Sequence, residues 1–290
     1  MPLVGFKCKK GDIPFEECLS CGECIPRFLA KSIQNINTFD YHQGDVITAT
    51  SMLGCLRETY LQRVHDYFSP PDKIYYSWRG TLAHTIFETT NLDGFIAEER
   101  YEKKLGGITI TGQLDGYDAH LCKLFDIKTI KDMGIGFVIK NGPKLDHTMQ
   151  LSIYKWLAPH KIKEAQIAYF GMGGFVITGQ KNTTTTWLKN KPSVSEKTHV
   201  CEVLETGKVR YDKKREFIVT YDTPAVKLLS KKKVEEFMMP KAIMLNEAFK
   251  NGVIPCMCDM ETRRWKCDSY CSMKDRCDAI EKERNDKSII

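Results

Sequence analysis

Polar and apolar positions alternate most regularly in two runs, Thr109–Tyr117 (TITGQLDGY) and Lys123–Ile130 (KLFDIKTI), parted by a short polar break near Ala119–His120. A period of two is that of a half-buried strand, so the pair predicts a β-hairpin. Phe95–Leu105 (FIAEERYEKKL) reads as an edge strand that enters this hairpin through a turn at Gly106–Gly107. Elsewhere the apolar spacing lengthens to three and four residues. Thr48–Tyr67 carries Met52, Leu53, Leu56, Tyr60, Leu61 and Val64 on such steps and predicts a helix with Thr48, Thr50 or Ser51 as N-cap. Further helices are predicted over Ser77–Thr90, over Asp146–Lys161, and over the basic stretch Ala225–Asn251, where Pro240 kinks or divides the helix. Glu164–Thr220 is mostly strand-like, with AQIAYFGMGGFVITG, TTTTWLK and KREFIVTY around a loop. The passage Lys131–Lys144 is loop-rich, and the first forty or so residues look irregular.

Composition narrows this picture. A chain of 290 residues can bury a sizeable core. It has no apolar run that would span a bilayer, and its N-terminus, MPLVGFKCKK, lacks the apolar centre of a secretory signal. Twelve cysteines without an export signal point to a reducing, cytoplasmic setting and to metal binding rather than disulfides. A net charge of +6 is compatible with a polyanionic partner but does not require one. The cysteines also suggest a division into residues 1–45, 46–254 and 255–290, with cysteine-rich segments at both ends of a central domain.

The hairpin is the strongest candidate for chemistry. Asp126 and Lys128 share one strand face, with Ile127 on the other. If the hairpin turns symmetrically about His120–Leu121, Asp115 faces Asp126, with Cβ atoms roughly 5 Å apart. Two carboxylates that close repel unless a cation separates them, and carboxylate oxygens suit Mg²⁺ or Mn²⁺. A neighbouring lysine can orient an attacking water and stabilise charge developing on a phosphate. Glu98 or Glu99 on the preceding strand could contribute, although charged strand faces are more often solvated. On the Ser77–Thr90 helix, Gly80, His84 and Glu88 lie on one face; by default His84 is a satisfied core histidine. Gln150 and Tyr154 sit one turn apart on the next helix. Among the cysteines, Cys8, Cys18, Cys21 and Cys24 have spacing suited to zinc or an iron–sulfur cluster. Cys256, Cys258, Cys267, Cys271 and Cys277 crowd the C-terminal segment, whereas Cys122 and Cys201 lack ligand neighbours and read as structural.

The order of these elements, G-x-x-D at Gly112–Asp115, D-x-K at Asp126–Lys128, then Q-x-x-x-Y at Gln150–Tyr154, resembles the PD-(D/E)XK nuclease superfamily and its RecB-like branch. The pattern S-x-x-x-C-x-R-x-x-x-L around Cys55 is similar to the cluster-bearing helix of RecB-like nucleases with a 4Fe-4S centre, nearest in pattern to stand-alone CRISPR-associated exonucleases and their viral or mobile-element relatives. The resemblance implies an α/β fold, a mixed central sheet flanked by helices, with a cysteine-ligated metal staple joining an N-terminal helix to the C-terminal tail. It implies DNA as substrate, single-stranded or at duplex ends, with recombination, replication or CRISPR-adaptation proteins as partners. His84, Asp115, Asp126 and the Ile127 carbonyl would hold Mg²⁺ or Mn²⁺, Lys128 would position water, and Gln150 and Tyr154 would hold the strand. Cys55, Cys267, Cys271 and Cys277 would ligate the cluster. The usual tail spacing is C-x-x-C-x5-C, whereas Cys267 and Cys271 have three residues between them, so Cys256 or Cys258 is an alternative ligand and a zinc site an alternative metal. The N-terminal CLSCGEC lies outside the pattern. The rival reading is a catalytically inactive nucleic-acid-binding or adaptor protein on the same scaffold. A ferredoxin-like electron carrier ranks last, because it leaves the hairpin unexplained.

Overall fold

The computed structural model describes residues 3–23, 25–37, 46–89, 92–130, 134, 137–138, 141–178, 201–203, 209–211, 216–256, 267–268 and 270–287. Cys24, Cys258 and the strand-like run 183–189 lie outside them. The chain divides into two compact units. The first comprises Met1–Arg79, Glu102–Gly112 and Glu235–Ile290, and the second Gly80–Tyr101 and Gln113–Val234.

In the first unit the N-terminal residues are ordered, not irregular. Strands β1 (Leu3–Cys8) and β2 (Gly11–Pro14) form a hairpin, and β4 (Tyr67–Ser69) runs parallel to β1. Helices α1 (Phe15–Cys21) and α2 (Arg27–Asn37) close over it, burying Leu3, Phe6, Phe15, Cys18, Ala30 and Ile33. The pairing of β1 with β4 joins residues far apart in sequence, which local periodicity does not reveal.

The helix predicted from Thr48 is a second correction. Ile47–Thr48 form β3, paired in parallel with Ile110–Thr111, and a single 3₁₀ turn covers Thr50–Met52. Helix α3 starts only at Leu56 and ends at Val64, with Cys55 as its N-cap. Sheet pairing has displaced the first turns of the apolar pattern. Helix α4 (Pro71–Glu88) starts earlier than predicted, with Pro71 at its first position, where a missing N–H costs nothing.

Strand β5 (Phe95–Leu105) joins β6 (Ile108–Asp118) through Gly106–Gly107, whose φ values of +56° and +84° suit the tight hairpin turn. Strand β6 runs from the first unit into the second. There it pairs antiparallel with β7 (Lys123–Ile130), which pairs in parallel with β8 (Glu164–Thr178), itself antiparallel to β11 (Glu216–Asp222). The architecture is mixed α/β, a mixed sheet flanked by helices. The parallel β7–β8 step needs a crossover, supplied by α5 (Leu145–Leu157). That helix stops short of the predicted Lys161 because Pro159 cannot continue it. β9 (Cys201–Val203) and β10 (Val209–Tyr211) form a separate hairpin.

Helix α6 (Lys231–Asn251) starts later than the predicted Ala225, since Ala225 bridges Gln166 and the Val226 N–H bonds to Ala165. It also runs unbroken through Pro240. An interior proline costs about 3 kcal/mol; burial of Met238, Ala242, Leu245 and Ala248 along one stripe offsets it. Helix α7 (Lys274–Lys287) completes the first unit.

Candidate metal and active site

The β6–β7 register is the symmetric one, Gly116 opposite Phe125, Tyr117 opposite Leu124 and Asp118 opposite Lys123. It sets Asp115 beside Asp126. Asp118 belongs to the turn, where its Oδ1 accepts from the Leu121 N–H at 2.9 Å. Gly116 is required next to Asp115, because a Cβ there would stand 2.6 Å from the Phe95 ring.

Asp115 and Asp126 are both buried. One oxygen of Asp115, Oδ2, accepts from the Ile127 N–H at 2.6 Å, and the other lies 3.7 Å from His84 Nδ1. Asp126 Oδ1 accepts from Lys128 Nζ at 2.8 Å. Its Oδ2 is fully buried with no hydrogen-bond partner among the described residues. An orphaned carboxylate oxygen is costly unless a cation or water takes it.

His84 Nδ1 also sits 2.8 Å from Glu98 Oε1. Ligand atoms of His84, Glu98 and Asp115 all fall within 4.8 Å of one another, and among the described residues this is the His/Cys/Asp/Glu group that converges so closely. Of the two adjacent glutamates on β5, Glu98 turns into the site and Glu99 does not; Glu99 accepts from the Tyr101 hydroxyl. Glu98 holds φ at +51°, an unusual backbone state for a side-chain-bearing residue, and its Oε2 is braced by Gln113 Nε2 at 2.9 Å. The glutamate pair in the sequence carries no signal of which one turns inward.

Electrostatics follow from the crowding. Burial, reinforced by the Asp126 charge, pushes the Asp115 carboxyl up to about 7. Burial also raises Asp126, against the pull of Lys128. The hydrogen bond to Glu98 raises His84, against burial. The three groups together favour bound protons or a bound cation. The donor set, carboxylate oxygens with one imidazole and an unsatisfied Asp126 oxygen, suits a hard divalent ion such as Mg²⁺ or Mn²⁺.

Gln150 and Tyr154 lie on the face of α5 turned inward. Gln150 is 6% exposed and Tyr154 4%, and Gln150 Nε2 donates to the Tyr154 hydroxyl at 2.6 Å. Burial and the charges of Asp115 and Asp126 raise the Tyr154 phenol far above its usual range. His147, a turn earlier, has its Nδ1 2.8 Å from the Tyr169 hydroxyl. Sequence reading assigned it no role.

Cys55, Cys267, Cys271 and Cys277 all belong to the first unit, and among the described residues no three of their sulfurs lie within 4.8 Å of one another. Cys55 Sγ accepts from the Glu58 N–H at 3.5 Å, and Arg57 Nη1 lies 3.5 Å from Cys277 Sγ. Burial pushes the Cys271 thiol up to about 12, aided by neighbouring Glu58 and Cys267. Arg57 is 1% exposed, donating also to the Pro255 carbonyl at 2.7 Å and to Glu281 at 2.5 Å. At the N-terminus, Cys18 packs in the apolar core, while Lys10 bonds Cys8 Sγ through its N–H at 3.3 Å and approaches Cys21 Sγ at 3.7 Å.

No protein-family description matches the chain, and no curated protein matches it. Among solved structures it is similar to SSO0001, with a TM-score of 0.48 and 16% identity over 87% of this chain and 95% of that one. It is also similar to a phage related exonuclease from Haemophilus somnus 129PT, with a TM-score of 0.39 and 13% identity over 72% of this chain and 96% of that one. Among the described residues, no helix is long and apolar enough to cross a membrane.

Proposed function

We propose that this chain is a divalent-metal-dependent DNA nuclease of the RecB-like PD-(D/E)XK kind. The observation that carries the reading is the buried Asp115–Asp126 pair, with Asp126 Oδ2 unsatisfied and Lys128 alongside. Asp115, Asp126, His84 and the Ile127 carbonyl would hold Mg²⁺ or Mn²⁺, and Glu98 joins them by its position. When bound, the ion supplies Lewis-acid charge to the scissile phosphate and lowers the pKa of a water.

The remaining work falls to the chain's own side chains. Lys128, partly exposed beside the carboxylates, orients the attacking water and meets the charge that grows on the phosphate. Glu98 fixes the ring of His84 through Nδ1. Gln150 and Tyr154, expected at the DNA strand, are buried and bonded to each other, so we assign them the bracing of the carboxylate pair.

Cys55, Cys267, Cys271 and Cys277 are proposed ligands of a 4Fe-4S cluster, with zinc as the alternative; Cys55 caps α3, and Arg57 on its first turn approaches Cys277. Hydrolysis moves no electrons, so that centre is structural. Cys8, Cys18 and Cys21, with Cys24, remain a proposed zinc set in which the burial of Cys18 among apolar side chains is the least favourable feature.

The test is cleavage of end-labelled single- and double-stranded DNA with Mn²⁺ or Mg²⁺, wild type beside Asp126→Ala. Metal-dependent loss of label by the wild type alone supports the nuclease. DNA binding without cleavage by either protein establishes the adaptor reading instead.

A further inference from the structure

Behind Glu98 a chain of polar contacts runs outward across two paired strands, β5 and β6. On β6, Gln113 and Asp115 are two residues apart and share a face, with buried Leu114 on the other. Gln113 is half-buried. On β5, half-buried Glu98 and exposed Arg100 are likewise two residues apart. The Gln113 side chain spans that pair, with Nε2 2.9 Å from Glu98 Oε2 and Oε1 2.8 Å from Arg100 Nη2.

These two contacts fix which way the amide faces. A guanidinium only donates and an ionised carboxylate only accepts, so the carbonyl end meets Arg100 and the NH₂ end meets Glu98. The reversed amide would set donor against donor at one end and acceptor against acceptor at the other. This holds whatever else Arg100 touches. The two oxygens of Glu98 are therefore divided. Oε2 is held by Gln113, while Oε1 lies 2.8 Å from His84 Nδ1, in the converging group that includes Asp115. An amide fixes an oxygen without bringing a positive charge that would cancel the carboxylate; a lysine or arginine in its place would compete with a cation. The backbone gives a second reason for such a hold, since a φ of +51° at a glutamate persists only where the surroundings enforce it.

We propose that Gln113, oriented by Arg100, is a positioning residue of the metal site, holding Glu98 so that its Oε1 is presented to a divalent cation beside His84 and Asp115. This rests on the metal-dependent nuclease reading.

The experiment is calorimetric titration of Mn²⁺ into the full-length protein without DNA. Gln113→Met keeps the side-chain length and loses both polar ends. Its Mn²⁺ affinity should fall about 10-fold, the effect of losing a group that holds a metal ligand, while the metal-free melting temperature moves by no more than about 2–4 °C. Arg100→Met, at an exposed position that the fold tolerates, should weaken Mn²⁺ by a smaller factor, roughly 2- to 5-fold. The deciding comparison places Gln113→Met in a Glu98→Gln background. Because Gln113 acts through Glu98, the second substitution should there weaken Mn²⁺ no further than about 2-fold. A Gln113→Met protein that binds Mn²⁺ as the wild type does overturns the assignment, and so does a loss that persists in full beside Glu98→Gln; in both cases the nuclease reading stands. A wild type that binds no Mn²⁺ sinks both.

Discussion

The carboxylate site of the second unit and the thiol region of the first are both assembled from groups distant in sequence, yet they are held in opposite ways. At the carboxylates the like charges face one another, with one oxygen left unsatisfied. Around the thiols a buried arginine supplies a positive charge and ties Cys277, Pro255 and Glu281 to the start of α3. The first arrangement is strained until a cation enters; the second is compensated from within. Local destabilisation of that kind belongs to chemistry, and internal compensation to architecture.

The sharpest way to break the contrast is Asp126→Asn. It should lower cleavage by roughly 10²–10³-fold or more and leave thermal stability unchanged or raised, because it removes a buried, unsatisfied carboxylate. Loss of fold on circular dichroism together with activity would make the site structural after all. The complementary variant is Arg57→Ala, which removes the buried donor of the Pro255 carbonyl and of Glu281 and should cost about 2 kcal/mol in denaturant unfolding. At temperatures where it remains folded, kcat should be close to wild type. Cys271→Ser should lower stability as well, and reduce bound iron and any visible absorbance; unchanged metal content would remove Cys271 from the ligand set.

Smaller effects sharpen the picture. Glu98→Gln should weaken Mn²⁺ roughly 10–100-fold by calorimetry, with Glu99→Gln near neutral. The pH dependence has a definite sign. The Asp115 carboxyl is raised from 3.8 to about 7 in the fold, so its protonated form is the stabilised one. That stabilisation is complete below pH 4 and is lost as pH rises through about 7. Asp126 and His84, also raised, act in the same direction. Metal-free protein should therefore melt roughly 2–6 °C lower at pH 8 than at pH 5.5, and Mn²⁺ should restore the loss at pH 8. A melting temperature that rises over this interval without metal would contradict the buried pair.

By itself the sequence determined what is local. Alternation in TITGQLDGY and KLFDIKTI, with a short polar break, already places Asp115 beside Asp126, because a hairpin's register follows from its turn. Gln150 and Tyr154 likewise fall on one helix face by spacing alone. Only the tertiary structure decided the rest. Thr48 leaves its predicted helix for a strand beside Thr111, and Glu98 rather than Glu99 reaches His84. The meeting of His147 with Tyr169, and of Arg57 with the last helix, joins elements whose contact depends on how they pack. Periodicity records which face of an element is apolar; it carries no information about which other face will meet it.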